Sequence, residues 1–269
     1  MNVRTWHLPF RVGATSYIVA DDLLPNAEFL AAHVQDMQLV LFDLPDGQCN
    51  VPSPALVAEL AAMGRAHDLG YTVHLLHDLR LGDSEDPRHA SLQSAYDIMQ
   101  RTRPLEPWAW VGHLDGRDVR AADMSMEQLA WWRHQAHRAL QVACDWMDTP
   151  AQLAIENLEG YPADFVTPVV MRSSVSRCVD VGHLWLDGHD PIAHLRAAWP
   201  RLRVVHLHGT NERDHASLAH VPPEQLDRVV HLLLARRFTG VVTLEIFGEE
   251  DFWSSLAALS ASVYRFKGE

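Results

Sequence analysis

Six apolar runs in this chain end in a residue able to bind a metal or carry a proton. They are Tyr71-Thr-Val-His74, Ala109-Trp-Val-Gly-His113, Leu153-Ala-Ile-Glu156, Cys178-Val-Asp180, Val204-Val-His206 and Val242-Thr-Leu-Glu245. Each run has the character of a short buried strand, and in parallel α/β folds the chemistry collects at strand C-termini. Asp180-Val-Gly-His183 adds an imidazole three residues beyond a carboxylate, across a turn that glycine permits. A buried carboxylate without a cation or proton is strongly disfavoured, and imidazole is the commonest metal ligand, so these residue types imply a metal centre. Any one of the histidines, taken alone, reads more simply as a surface or core residue. Six successive strand ends carrying such groups point to a shared site.

The elements that must position these groups follow from the hydrophobic pattern. Strand-like runs alternate with longer amphipathic segments, which predicts βα units and a parallel sheet, because parallel strands need a crossover that is usually helical. The strands are expected at Arg11–Tyr17, Gln38–Asp43, Tyr71–Leu76, Trp108–His113, Gln152–Asn157, Arg177–Val181, Arg203–His208 and Val241–Ile246. Helices are expected near Asp21–His33, Ser53–Leu69, His89–Thr102, Ser125–Met147, Pro162–Ser174, Pro191–Trp199, Pro222–Arg237 and Asp251–Tyr264. Ser53-Pro54 reads as a cap with proline in the first turn, and Ser125-Met-Glu-Gln128 as a capping box. Eight such units predict a (β/α)8 TIM barrel with its metal site at the C-terminal face of the strands; a doubly wound open sheet is the alternative.

The 269 residues, 48% of them hydrophobic, fit one domain spanning 1–269, and no Gly/Ser/Pro-rich linker interrupts them. No apolar run approaches membrane-spanning length and the N-terminus lacks a charged head followed by a greasy segment, so a cytoplasmic location is expected. Cys49, Cys144 and Cys178 form no C-x-x-C and leave one unpaired, which suits a reducing compartment. A formal net charge of −13 argues against a wide basic face for nucleic acid. It also favours a small-molecule substrate. The 17 histidines are many for this length.

These strand-end residues resemble those of the xylose-isomerase-like TIM barrels, a superfamily that includes sugar epimerases and the endonuclease-IV-type phosphodiesterases. The resemblance spans nearly the whole chain in strand order, although its motifs are short. The family's strand-five glutamate matches Glu156, its strand-six D-x-x-H matches Asp180 and His183, its strand-seven histidine matches His206, and its strand-eight glutamate matches Glu245. The phosphodiesterase branch adds histidines on strands three and four, matched by His74 and His113, and a later D-x-H that here reads Asp214-His215 with no intervening residue. Either Asp214 or His215 is then the ligand, or a plain loop stands there. His77-Asp78 follows His74 closely, yet strand alternation and the matched position favour His74; His208 is expected to support the ligands or face the substrate, although strand parity alone lets both His206 and His208 reach the metal. The segments Tyr71–Gly82 and His206–Leu218 further resemble the cobamide-remodelling phosphodiesterases of this superfamily.

The resemblance implies a metal-dependent hydrolase that cleaves the phosphodiester in the nucleotide loop of a corrinoid. Glu156 would bridge two ions, with Asp180, His206 and Glu245 in the central site, His74 and His113 on a second ion, and His183 with Asp214 or His215 on a third. Mixed nitrogen and oxygen ligands in this number suit two or three divalent ions of zinc, manganese or iron. The rival enzyme is a sugar isomerase or epimerase in which Glu156 and Glu245 act as an acid/base pair around one ion. A catalytically silent barrel that binds a corrinoid or sugar is the third expectation. Trp108, Trp110, Trp185 and Trp253 are candidates for an apolar mouth, against helix packing of the kind expected for Trp132 and Trp146.

Overall fold

The computed structural model describes residues 2–44, 46–120, 124–211 and 214–268. Eight parallel strands close into a barrel in sequence order: β1 (Arg11–Thr15), β2 (Asp36–Val40), β3 (Gly70–His74), β4 (Trp110–His113), β5 (Leu153–Glu156), β6 (Ser176–Asp180), β7 (Leu202–Leu207) and β8 (Val241–Leu244). The helices are α1 (Leu23–Ala31), α2 (Pro54–His67), α3 (Ala90–Thr102), α4 (Met126–Cys144), α5 (Thr167–Val170), α6 (Val181–Leu186), α7 (Pro191–Ala198), α8 (Pro223–Ala235) and α9 (Glu249–Lys267). The fold is the expected TIM barrel. Among the described residues no helix is long and apolar enough to cross a membrane.

Local chemistry sets several helix starts. The Ser53 hydroxyl accepts from the Leu56 amide with Pro54 in the first turn, and Ser125 and Gln128 complete the capping box of α4. Three sequence expectations are corrected. The second strand lies at Asp36–Val40 rather than Gln38–Asp43, because its pairing with β3 runs from Asp36↔Gly70 to Val40↔His74. Only Thr167–Val170 of the helix expected over Pro162–Ser174 is α-helical. A short helix that went unforeseen, α6, starts directly from β6, where the Asp180 carboxylate caps it.

Strand parity divides the barrel into two environments. Leu153, Ile155, Val179, Val205, Leu207, Val242 and Leu244 belong to the apolar layer packed against the helices, whereas Ala109, Val111, Ala154, Cys178 and Val204 form a separate small cluster. That small cluster has the same parity as His113, Glu156, Asp180 and His206, because successive strand residues point to opposite faces. Short residues therefore fill the lower barrel and leave polar groups at its upper end. Register aligns those groups: His113 is paired with Glu156 and Asp180 with His206.

Candidate metal centre

Glu156 occupies the middle of the upper barrel and is 1% exposed. Its Oε2 lies 3.1 Å from Nε2 of both His74 and His113. Its Oε1 lies 3.0 Å from Nδ1 of His206. The same His206 nitrogen stands 2.8 Å from Glu245 Oε2 and 3.6 Å from Asp180 Oδ2. One imidazole nitrogen thus faces three carboxylate oxygens, and a single N–H can satisfy only one of them.

The protons of the imidazoles sharpen this point. Gln38 gives its amide N–H to Glu245 Oε1 (3.2 Å), so its carbonyl oxygen accepts from His206 Nε2 at 2.8 Å. His74 Nδ1 donates to the Leu75 carbonyl at 2.7 Å, His183 Nδ1 to that of Asn157 at 3.1 Å, and His208 Nδ1 to that of Gly209 at 3.2 Å. A carbonyl oxygen only accepts, so each neutral ring carries its proton there and aims the lone pair of its other nitrogen at carboxylates. Lone pairs opposed in this way require either extra protons or a cation between them. The buried Asp180 Oδ2 and Glu245 Oε2 make no well-aligned hydrogen bond and share the approach of His206 Nδ1, which fits the cation.

The electrostatics agree. Burial opposes ionisation of Glu156 and Asp180, but the imidazoles around each more than offset it and hold both carboxyls well below the ordinary range. Burial likewise disfavours charge on His183 and His215, yet Asp180 and Asp214 beside the first and Asp214 and Glu245 beside the second lift them to about 11 and about 10. The carboxylates thus generate a negative field that proton or metal must neutralise.

A third cluster extends the centre. His183, His208 and His215 place ligand nitrogens within 4.8 Å of one another, and the His208 and His215 rings stack at 4.3 Å. Both members of Asp214-His215 reach it: Asp214 approaches His183 Nε2 at 3.7 Å and His208 Nδ1 at 3.4 Å. The bridge between Gly209 and Ala216, bonded in both directions, folds their loop back over the barrel. Glu212 and Arg213, within the segment His206–Leu218, lie outside the described residues. His208, which strand parity with His206 left free to reach the metal, stands in this cluster. His77, by contrast, is exposed on the cleft wall and belongs to none of these ligand clusters.

D-x-x-H geometry now has a local cause. Asp180 Oδ1 accepts from the His183 amide at 2.7 Å, capping α6, so the third helical residue hangs over the same strand end. Gly182 between them is sterically required: a Cβ there would lie 2.1 Å from the His208 ring. Asn157 locks the ends of β5 and β6 together, donating to the Asp180 carbonyl at 2.9 Å and accepting from its amide at 3.0 Å.

Sequence reasoning missed Gln38 as a site residue. Its signal was a pair of polar residues, Asp36 and Gln38, at alternate positions of an otherwise apolar strand. A cleft of about 540 Å³ opens above the centre, bounded by Val40, Asp115, Arg117, Arg120, Tyr161 and Phe247 as well as the ligand candidates. None of the tryptophans suggested for an apolar mouth lines it: Trp108 bonds the Arg203 carbonyl, Trp110 bonds Thr102, and Trp185 and Trp253 pack against the core.

Fold and site together define a TIM barrel with a His/carboxylate centre at its C-terminal mouth. The chain belongs to the xylose isomerase-like TIM barrel family, whose model matches residues 31–265. A D-tagatose 3-epimerase-like protein superposes with a TM-score of 0.77 at 15% identity, over 96% of this chain and 99% of that one. Endonuclease IV from Thermus thermophilus gives 0.67 at 20% identity, over 95% and 99%. A 3-keto-D-glucoside 4-epimerase from E. coli gives 0.67 at 15% identity, over 97% and 100%. At these identities the likeness is one of fold. No curated protein matches the chain.

Proposed function

We propose that this protein is a metal-dependent phosphodiesterase holding two or three divalent ions of zinc, manganese or iron. The observation that carries the reading is the division of Glu156, with Oε2 toward His74 and His113 and Oε1 toward His206. A bridging carboxylate is what two neighbouring ions need. Asp180, His206 and Glu245 would hold the central ion, His74 and His113 a second, and His183 with Asp214 and His215 a third, joined by His208. Such ions, when bound, polarise a phosphoryl oxygen and supply a water nucleophile near neutral pH. Gln38 keeps His206 in the tautomer that ligates, and Asn157 keeps Asp180 in register with Glu156.

The substrate we assign is a cobamide, cleaved at the phosphodiester of its nucleotide loop to a corrinoid phosphate and a free nucleoside. Support comes from the likeness of Tyr71–Gly82 and His206–Leu218 to cobamide-remodelling enzymes. Incubating metal-loaded protein with an intact cobamide and, in parallel, a panel of ketohexoses tests it by chromatography. Loss of the cobamide is expected; conversion of a ketose with the cobamide intact contradicts it.

One observation favours a second reading. Glu156 and Glu245 face the same His206 nitrogen, the arrangement a one-ion epimerase with a carboxylate pair requires. His74, His113 and the His183/His208/His215 cluster have no necessary place in that scheme, which is why hydrolysis is preferred.

A further inference from the structure

The cleft above the centre has two unlike walls. On one side the loop after β4 carries Arg117 and Arg120. Asp115, 5% exposed, anchors this side: its carboxylate accepts from the Arg117 amide (2.8 Å), from Arg117 Nε (2.6 Å) and from the Tyr161 hydroxyl (2.6 Å). The Arg120 guanidinium lies 4.8 Å from the centroid of the Tyr161 ring. Gly116 lets the loop close, since a Cβ there would sit 2.4 Å from Phe165. Arg117 Nη1 and most of the Arg120 donors have no partner among the described residues, and both side chains line the cleft. Glu159 lines it too and makes no ion pair with either arginine among the described residues.

On the other side, after β8, Phe247 is 38% exposed and packs edge-on against Tyr17 at 6.1 Å. Strands four apart in a closed ring of eight face each other, so the arginine wall and the aromatic wall stand across the barrel with Glu156 between them.

Resting on the phosphodiesterase reading, we infer that the cleft orients its diester by unlike arms: an arm rich in oxygen acceptors on Arg117 and Arg120, and a planar ring against Phe247. Guanidinium forks recognise oxygen acceptors in pairs, and an aromatic edge or face takes a flat ring. The acceptor oxygens belong to a carboxamide or to an oxyanion, and the probes below separate the two sources.

The test uses metal-loaded protein and 4-nitrophenyl phosphodiesters whose second arm is propyl, a carboxamide-terminated propyl or a phosphate-terminated propyl chain. The wild-type protein is expected to prefer an acceptor-bearing arm over plain propyl by about tenfold in kcat/KM, mostly through KM. The double variant R117A/R120A should lose that preference. Arg120→Ala alone, which leaves the Asp115 anchor intact, should lose part of it. Phe247→Ala should raise KM for all three diesters alike. A wild-type protein indifferent to the arm, or a preference that survives in R117A/R120A, overturns the inference. If none of the three is hydrolysed, the phosphodiesterase reading fails. Equilibrium binding of the same compounds then decides the inference by the same comparison of arms and variants.

Discussion

His206 Nδ1 and Glu156 Oε1 stand 3.0 Å apart, and because Gln38 takes the other imidazole proton, the neutral ring turns a lone pair toward the carboxylate. Either a second proton on the ring, which the surrounding carboxylates favour, or a cation that displaces it satisfies both, and the same logic repeats at His74 and His208, whose second nitrogens face Glu156 and Asp180 at 3.1 Å.

Glu156→Gln keeps the volume and removes the charge shared by two clusters. Hydrolysis should fall by more than the roughly 100-fold typical of losing an outer-sphere partner, while circular dichroism and Tm stay near wild type. His74→Ala should follow the same course and lose one ion per chain. Full activity in the His74 variant beside an inactive Glu156 variant would mean that one ion suffices.

Gln38→Leu removes the group that fixes the His206 tautomer and steadies Glu245. Metal affinity, measured by competition with a chromophoric chelator, should drop about 10–100-fold. An unchanged affinity would show that Gln38 is a bystander in the barrel wall.

Gly182→Ala forces a methyl group into the His208 ring. We expect a loss of about 1–3 kcal/mol in denaturant unfolding, the range for overpacking a filled interior, together with disturbance of the His183/His208/His215 cluster. Co(II)-substituted protein should show an altered ligand-field spectrum. A spectrum identical to wild type removes His208 from the third cluster.

Asp36, fully buried under the centre with neither oxygen hydrogen-bonded, provides a pH test. Burial raises its carboxyl to about 7 from 3.8, with Thr72 and Arg11 offsetting part. The folded state therefore binds this proton more tightly than the unfolded one. The stability it contributes is complete below the unfolded value and is lost as pH rises through about 7. The loss is on the order of 4 kcal/mol. Relative to wild type, Asp36→Asn should gain stability steadily between about pH 4 and pH 7 in urea titrations at saturating metal. Parallel wild-type and variant profiles would show that Asp36 does not titrate in that window.

Much of the centre was legible in the sequence because strand C-termini are local features: an apolar run ending in His113, Glu156 or His206 announces both the strand and the group it presents. The D-x-x-H of Asp180 and His183 was readable for the same reason. Gln38, Asn157 and the packing of His208 on Gly182 were not, since each depends on a neighbour 23 or more residues away. The end of β2 was misplaced because Leu39-Val40-Leu41-Phe42 stays apolar past the last ladder pair, and only cross-strand register marks where pairing stops. The helix over Pro162–Ser174 shrank to Thr167–Val170 for a related reason: helical propensity says little where the chain wraps a small apolar pocket lined by Tyr161 and Phe165.

The most direct measurement is elemental analysis of protein purified without chelator, with metal content titrated to saturation. Because His183 and His215 must lose protons held to about 11 and about 10 before they ligate, loading should tighten as pH rises. Two or three zinc, manganese or iron ions per chain is the expected result. A single ion at saturation contradicts the bridging role of Glu156 and favours the epimerase, and no ion under any reconstitution contradicts both enzymes.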